Sequence, residues 1–401
     1  ASVEQLGEPV KNIILNVDPG TYKNGAAVTV PNSGGRKGNV IAGALGAVIA
    51  KSFLRLEILK EVTPELLKKA QELTENEVIE YNCKEDERAF NVEVSAYGET
   101  NHILCVVSEG HTNITRLEKN GASIIHTHPH RGTKKKDYHD VLRNMKLVDV
   151  ISSAIKLDND DRAYIQRGIE MNMAISEKGI SLKRTGYQIQ QMNERGVLSD
   201  DLFYKVKWRV ASAVDARMGG MAEPVMTSGG SGNQGVLTIL VPYIAGVNYN
   251  VSPKTIEEGV AISHAINSYI KCFTGELSVL CGCAIAASIA SAIALVYMKT
   301  GIDMEKITYA VHNVIGDLCG IICDGAKPGC AMKIVSGADT VIRSAFMAIS
   351  SYGLSSDEGV LGMSADESIR NLSRISLEGM GLVDPTVVHI IQSKTGRSGR
   401  A

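Results

Sequence analysis

The spacing of apolar residues changes once along this chain, and the change divides it. Up to about residue 135, hydrophobic and polar residues alternate in short runs at 11–17, 26–30, 89–96, 102–108, 112–118 and 123–126. A period of two is the mark of strands with one buried face. From about residue 141 the apolar residues recur at helical spacing, over Val141–Ile155, Asp161–Glu177, Leu202–Ala216, Ile256–Tyr269, Ala284–Thr300, Met304–Val314 and Ala338–Ser351. Several of these are apolar on most faces, as buried helices are. Within the first part, Asn39–Ser52 and Thr63–Leu73 read as helices, the second opened by Thr63-Pro64-Glu65. Asp18-Pro19-Gly20 and Lys23-Asn24-Gly25 read as turns. The expected fold is α+β, with an N-terminal antiparallel sheet and helices over residues 1–135, then a mostly α-helical domain over 136–401. Lys134-Lys135-Lys136 reads as a solvated linker between the two, and Lys394–Ala401, rich in Gly, Arg and Ser, as a frayed end.

Composition narrows the function. The formal net charge is -2, with one Trp and five Phe, which argues against nucleic acid or an anionic membrane as the main partner. Val279–Met298 is twenty residues without a charge, long enough to span a bilayer. Its Ala and Ser content and its lack of an aromatic belt make it a buried helix instead. Six of the eight cysteines fall between 272 and 330, in apolar surroundings. That is no secreted disulfide framework, and no signal peptide is visible, so a reducing, cytoplasmic setting is expected. The chain starts Ala-Ser-Val without Met, so a trimmed N-terminus is expected.

Four stretches could carry chemistry. Cys323 and Cys330 bracket a Gly/Pro loop that lets both sulfurs turn toward one point, and Cys281 precedes a helix that could reach it. Three thiolates suit a soft metal. Spacing leaves open an iron–sulfur cluster, a structural zinc and plain buried thiols, since zinc prefers four ligands in closer pairs. Next, Thr227–Gly235 packs Gly and Ser between helices. Its Gly-x-Gly-x-x-Gly lacks the strand that a dinucleotide fingerprint needs before it, so it reads as a loop opening a helix whose free N–H groups hold a carboxylate. Asp215 and Arg217 end an apolar helix and could orient the site or form a helix-end ion pair. Gly110-His111-Thr112-Asn113 stands at a strand start, placed to hold a substrate or act as a base. His126-Thr127-His128-Pro129-His130 reads as a surface strand end rather than a metal site.

These segments together resemble the L-cysteine desulfidases, relatives of the catalytic chain of iron–sulfur L-serine dehydratases. The match runs nearly end to end: Lys23-Asn24-Gly25 with Val30-Pro31, Gly110–Asn113, Asp215–Gly220, Ser228–Gly235, Leu277–Cys281, and Ile322–Gly325 with Cys330–Lys333. The resemblance implies an iron–sulfur-dependent lyase that converts L-cysteine to sulfide, ammonia and pyruvate by β-elimination. It implies a [4Fe-4S] cluster on Cys281, Cys323 and Cys330, with Cys283 and Cys319 as neighbours and no pyridoxal phosphate. The pocket assigned to the small amino-acid substrate comprises Lys23, Asn24, Thr112, Ser228, Gly229, Ser231, Gly232, Asn233 and Gln234. His111, Asn113, Asp215 and Arg217 are the catalytic candidates. L-Serine or L-threonine dehydration and a non-catalytic zinc or iron–sulfur protein are the alternatives, and a homodimer is the assembly considered. Desulfidases of this kind carry an N-terminal Gly-Cys-Thr-Glu-Pro motif, and this sequence begins after the point where it would fall. The chain is therefore expected either to be a trimmed form or to lack that cysteine.

Overall fold

The computed structural model describes residues 1–87, 89–126, 138–275 and 277–398. A short helix, α1 (Ser2–Leu6), precedes strand β1 (Asn12–Val17), which runs into helix α2 (Pro19–Gly25). Asp18 starts α2: its carboxylate accepts the Thr21 N–H at 2.9 Å, and Pro19 takes the first turn, where a missing N–H costs nothing. The two turns expected over 18–25 are thus a single helix. Helices α3 (Asn39–Ile49) and α4 (Pro64–Glu75) follow, separated by a 3-10 segment, and the Leu66 N–H donates to the Thr63 hydroxyl as the sequence suggests.

Strands β2 (Ile79–Cys83), β3 (Asn91–Tyr97), β4 (His102–Ser108), β5 (Ile114–Lys119) and β6 (Ala122–His126) complete a six-stranded sheet in the order β2-β1-β3-β4-β5-β6. The expected meander is β3 to β6. Strand β2 escapes the sequence reading because it buries only Ile79 and carries little apolar alternation. Its register, Ile13 opposite Ile79, is parallel, so the sheet is mixed rather than wholly antiparallel. The remaining pairs are antiparallel.

The second part is helical. Helices α5 (Tyr138–Arg143) and α6 (Leu147–Ala154) replace the single helix expected over 141–155, because the Asp366 carboxylate accepts the Leu147 N–H at 2.9 Å and opens a new helix there. Then come α7 (Asn159–Gly179), α8 (Thr185–Glu194), α9 (Leu202–Met218), α10 (Gly232–Asn248), α11 (Pro253–Thr274), α12 (Ala286–Thr300), α13 (Met304–Leu318), α14 (Cys330–Ile349), α15 (Ala365–Arg374) and α16 (Val383–Ser398). Helix α14 starts at Cys330 rather than Ala338, and the tail expected to fray continues as α16 to Ser398. Helix α16 packs back on α2, so the C-terminal segment closes against the N-terminal part. The Lys134–Lys136 linker lies outside the described residues.

Helix α12 is the axis of the helical part. Every residue from Ala286 to Val296 is buried, against α10, α11, α13 and α14. Its Ala and Ser side chains allow these helices to approach closely, which explains an uncharged run in a packed core. The run beginning at Val279 is first extended backbone and only then helix, and among the described residues no helix is long and apolar enough to cross a membrane. The sheet has a separate core, formed by Ile13, Leu15 and Val17 with Ile41, Ala44 and Leu45 of α3.

Close packing leaves no room for a side chain where α7 meets α9. A Cβ at Gly179 would lie 2.1 Å from the Ser212 carbonyl oxygen, a backbone atom that cannot swing aside. Overpacking of this kind costs about 1–3 kcal/mol. Gly179→Ala is expected to lower the urea midpoint accordingly with an unchanged slope. A variant as stable as the parent would show that α7 and α9 slide apart freely.

Candidate active site

Two short extended segments bring the cysteines together. Leu280 pairs with Ile322 in an antiparallel bridge. The Cys281 N–H donates to Ile321 O at 2.9 Å, and the Cys323 N–H to Val279 O at 2.6 Å. In this register Cys281 and Cys323 are diagonal neighbours on one face, roughly 7–8 Å apart along the backbone. The chain then turns through Gly325–Gly329 and enters α14 at Cys330. Gly325 is needed here: its φ is +96°, and a Cβ would meet the Lys23 carbonyl oxygen at 2.1 Å.

The thiols share one electrostatic neighbourhood. The hydrogen bond from Cys283, with help from the Ala284 N–H and the Lys333 charge, outweighs burial and brings the Cys281 thiol down to about 6. The same contact pushes Cys283 up, reinforced by burial and by the charges of Cys281, Cys323 and Cys330. Burial raises Cys330, and Cys281 and Cys323 add to the rise. Cys283, Cys319 and Cys330 all pack against the helical core. Positive charge surrounds this group. Lys333, one turn beyond Cys330 on α14, donates to Ile322 O at 2.8 Å and pairs with Asp324. Lys327 donates to Asp324 at 2.5 Å. Burial alone would raise Asp324, but these two ammonium groups hold it at about 2. Arg217 comes from α9; burial lowers its pKa, and Cys283 and Cys330 oppose that shift.

Arg217 also donates to Asn233 Oδ1 at 3.1 Å, which ties the thiols to the Gly/Ser loop. Ser228 and Ser231 close that loop by exchanging backbone hydrogen bonds, with Gly229 and Gly230 at φ +53° and +78° between them. It opens α10, as expected, and no strand precedes it among the described residues, so no dinucleotide-binding half surrounds Gly230–Gly235. The N–H groups of Gly232, Asn233 and Gln234 fall in the first turn of α10, where intrahelical acceptors are lacking. Ser231 Oγ lies 3.8 Å from Cys283 Sγ. Asn267 donates to Ser228 Oγ at 3.0 Å. Gln234 Oε1 and Asn267 Oδ1 are buried acceptors with no protein donor.

Asp215 and Arg217 do not act as a pair. Two positions apart on a helix is roughly 200° around its axis. Asp215 accepts the Gly186 N–H at 2.9 Å at the start of α8, and burial raises its pKa, while Arg217 faces the thiols. Lys23 reaches the site from the other half of the chain. Its ammonium is buried, 3.0 Å from Cys323 O and 2.5 Å from the Asp384 carboxylate on α16. Asn24 donates to Gly20 O at 2.8 Å within its own helix. His111, Thr112 and Asn113 are exposed. Asn113 closes its own turn on Ser108 O at 3.1 Å, and His111 stacks on Phe90 at 4.7 Å. Phe90 and Ser108–Gly110 line a cleft of about 820 Å³, whose far wall includes Leu277–Val279 and Asp384. These residues therefore stand beside the cleft that separates the sheet from the thiol segment. His126 ends β6, and Thr127–His130 lie outside the described residues, as does Glu276.

Sequence reasoning missed Asp384, Lys327 and Lys333 as site residues. Cys330 and Lys333 share a helix face at i, i+3, a readable signal. Asp384 has none, since it lies 361 positions from Lys23. Among the described residues no three His, Cys, Asp or Glu side chains gather around a single metal ion. The thiols therefore do not converge as tightly as one zinc would require.

Removing one partner of a buried ion pair costs about 3–5 kcal/mol, and Asp384 keeps some solvent contact. Lys23→Met is expected near the lower end of that range by chemical denaturation, and Lys23→Arg is expected not to restore the loss. A change within experimental error would mean that the ammonium is not what joins the two ends of the chain.

The sequence pattern of the family described as serine dehydratase alpha chain matches residues 54–389. A UPF0597 protein of Geobacter sulfurreducens is 44% identical over 394 residues, covering 98% of this chain and 92% of its own length. One from Elusimicrobium minutum is 42% identical over 393 residues, with the same shares covered. One from Clostridium tetani is 34% identical over 388 residues, covering 97% of this chain and 90% of its own. No solved structure matches the chain.

Proposed function

The chain belongs to the serine dehydratase alpha chain family, and from that premise we propose that it is a lyase that eliminates sulfide from L-cysteine, leaving ammonia and pyruvate. The observation that carries this reading is the pairing of segments 279–281 and 321–323, which sets Cys281 and Cys323 on one face beside Cys330. The donor set fits an iron–sulfur cluster: soft thiols, one of them favoured as thiolate, ringed by Lys333, Lys327 and Arg217. Each thiolate of a four-iron cluster binds a different iron, so its ligands stand wider apart than those of one ion. Cys281, Cys323 and Cys330 would hold it. When bound, such a cluster supplies a Lewis acid for the departing sulfur or hydroxyl.

The protein's own groups do the rest. The first-turn N–H groups of α10 and the Ser228 hydroxyl hold the substrate carboxylate, and Arg217, bonded to Asn233, fixes that side chain. The unpaired acceptors Gln234 Oε1 and Asn267 Oδ1 are available to the ammonium. Each such orphan costs about 1–3 kcal/mol until a donor arrives. His111, with Thr112 and Asn113, is the group we assign to the α-proton from the sheet side of the cleft. Asp215 supports the site through α8, and Lys23 through the Cys323 carbonyl. A second reading, dehydration of L-serine, is favoured by the family's own description.

Anaerobically reconstituted protein is expected to contain iron and acid-labile sulfide and to release sulfide from L-cysteine faster than pyruvate from L-serine. The opposite preference would select the dehydratase. Cys323→Ser is expected to lose most of the iron and all turnover. Asn233→Ala is expected to raise KM at least tenfold. Stoichiometric zinc without sulfide in the parent protein would sink the cluster reading.

A further inference from the structure

We propose that Lys271 supplies the positive charge that receives the substrate's α-carboxylate at the Gly/Ser loop. The proposal rests on the lyase reading above and deepens it, since a site built this way takes only amino acids whose carboxylate is free.

Lys271 stands in the last turn of α11 and is buried, with 6% of its surface exposed. Lysine is among the residues least often buried. One that serves only the negative end of a helix does so from the surface, so the helix end does not account for this burial.

The neighbours point to the loop. A Cβ at Gly229 would lie 2.8 Å from Asn267 Nδ2, 2.9 Å from Lys271 Cγ and 3.6 Å from Gln234 Oε1. The side chain that Gly229 lacks is the room in which the lysine stem passes the loop. Asn267, one turn earlier on α11, donates to Ser228 Oγ of the same loop at 3.0 Å. Ser263, Asn267, Lys271 and Thr274 are all buried and recur at helical spacing, so they share one face of α11. That polar face starts where the Ser263 hydroxyl lies 3.4 Å from that of Ser291 on α12. It passes the loop at Ser228 and Gly229 and ends at Thr274, which with Gly275 lines the cleft. Lys271 is the cationic member of this face, placed between the loop and the cleft.

A carboxylate taken from water into such surroundings needs charge as well as hydrogen bonds. The first-turn N–H groups of α10 offer about half a positive charge, and the Lys271 ammonium brings a full one. The cations nearby are committed elsewhere: Lys23 to Asp384, and Arg217 to Asn233 and the thiols. The two amides that border Gly229 carry the acceptors assigned to the substrate ammonium, Gln234 Oε1 and Asn267 Oδ1. Both ends of a zwitterion thus find their complement around one glycine. An amide or ester in place of the carboxylate carries no charge for Lys271 to meet.

The test compares L-alanine, which has both charged ends but no leaving group, with L-alaninamide, in which the carboxylate is replaced by a neutral group. Binding to the anaerobically reconstituted parent protein, Lys271→Met and Lys271→Arg is measured by calorimetry, with melting temperatures alongside. The parent is expected to bind L-alanine at least about tenfold more tightly than the amide, the effect of one hydrogen bond between charged groups. Lys271→Met is expected to lose that preference through weaker alanine binding alone, and Lys271→Arg to keep part of it. Equal losses for both ligands, or an unchanged preference in Lys271→Met, would overturn the proposal, as would a parent that binds neither ligand or does not discriminate. If Lys271→Met fails to fold, Lys271→Gln takes its place in the comparison. A preference that depends on Lys271 in a protein releasing neither sulfide nor pyruvate would remove the lyase reading and leave the carboxylate site standing.

Discussion

The Lys23 ammonium is the contact on which the rest of the site depends. A buried charge without partners is costly, and Lys23 has two partners that are distant in sequence: the Cys323 carbonyl and the Asp384 carboxylate. It can be buried only if α2, the 321–330 loop and α16 are all in place. The same interaction fixes the geometry of a proposed ligand. Holding the carbonyl of Cys323 orients the peptide that follows it, and Gly325 then lies directly against the Lys23 backbone. One side chain from the sheet half thus sets the shape of a loop that belongs to the helical half.

Charge balance governs the loop itself. Gathering several thiols is unfavourable once any of them ionises, because each thiolate raises the pKa of the next. Lys333, Lys327 and Arg217 offset that repulsion from three directions. Asp324 bonds both lysines through one carboxylate oxygen and so offsets their mutual repulsion. The lysines are held by backbone carbonyls and a carboxylate, not by the sulfurs, so they supply positive potential without blocking the sulfur lone pairs. That is what a soft, multiply anionic ligand set needs from its surroundings.

Much of this was legible in the sequence. Alternating and helical periods gave the α+β order, the meander β3 to β6 and most of the helices. The Thr63 cap and the buried nature of the uncharged run after Val279 were equally readable. What escaped was set by partners far along the chain. Asp366 divides 141–155 into two helices by capping Leu147. Strand β2 needs β1 beside it, because alone it buries a single residue. Asp18-Pro19-Gly20 carries a turn signal and a helix-start signal at once, and packing against α16 goes with the second. At the candidate site, local chemistry singled out the loop at 228–235 and Arg217, and the structure joins them through the Arg217–Asn233 hydrogen bond. The separation of Asp215 from Arg217 required only the helical angle between them. The involvement of Asp384 has no local trace.

The site sits where the two architectures meet, and there is a physical reason for it. A helical core as tightly filled as that around α12 has no room for a polar ligand among its own residues. Its helix ends and the loops between helices carry the free N–H groups and the thiols. Those ends at 228–235, 279–283 and 321–330 are bonded to one another through Ser231–Cys283 and the Leu280–Ile322 bridge, and Arg217–Asn233 ties the first of them to α9. The sheet supplies what these loops lack, a rigid surface that carries Lys23 and one wall of the cleft. Because soft ligands bind the folded arrangement and not the open chain, their binding free energy adds to folding. A group held at Cys281, Cys323 and Cys330 would therefore also strengthen the junction that Lys23 makes between the two halves.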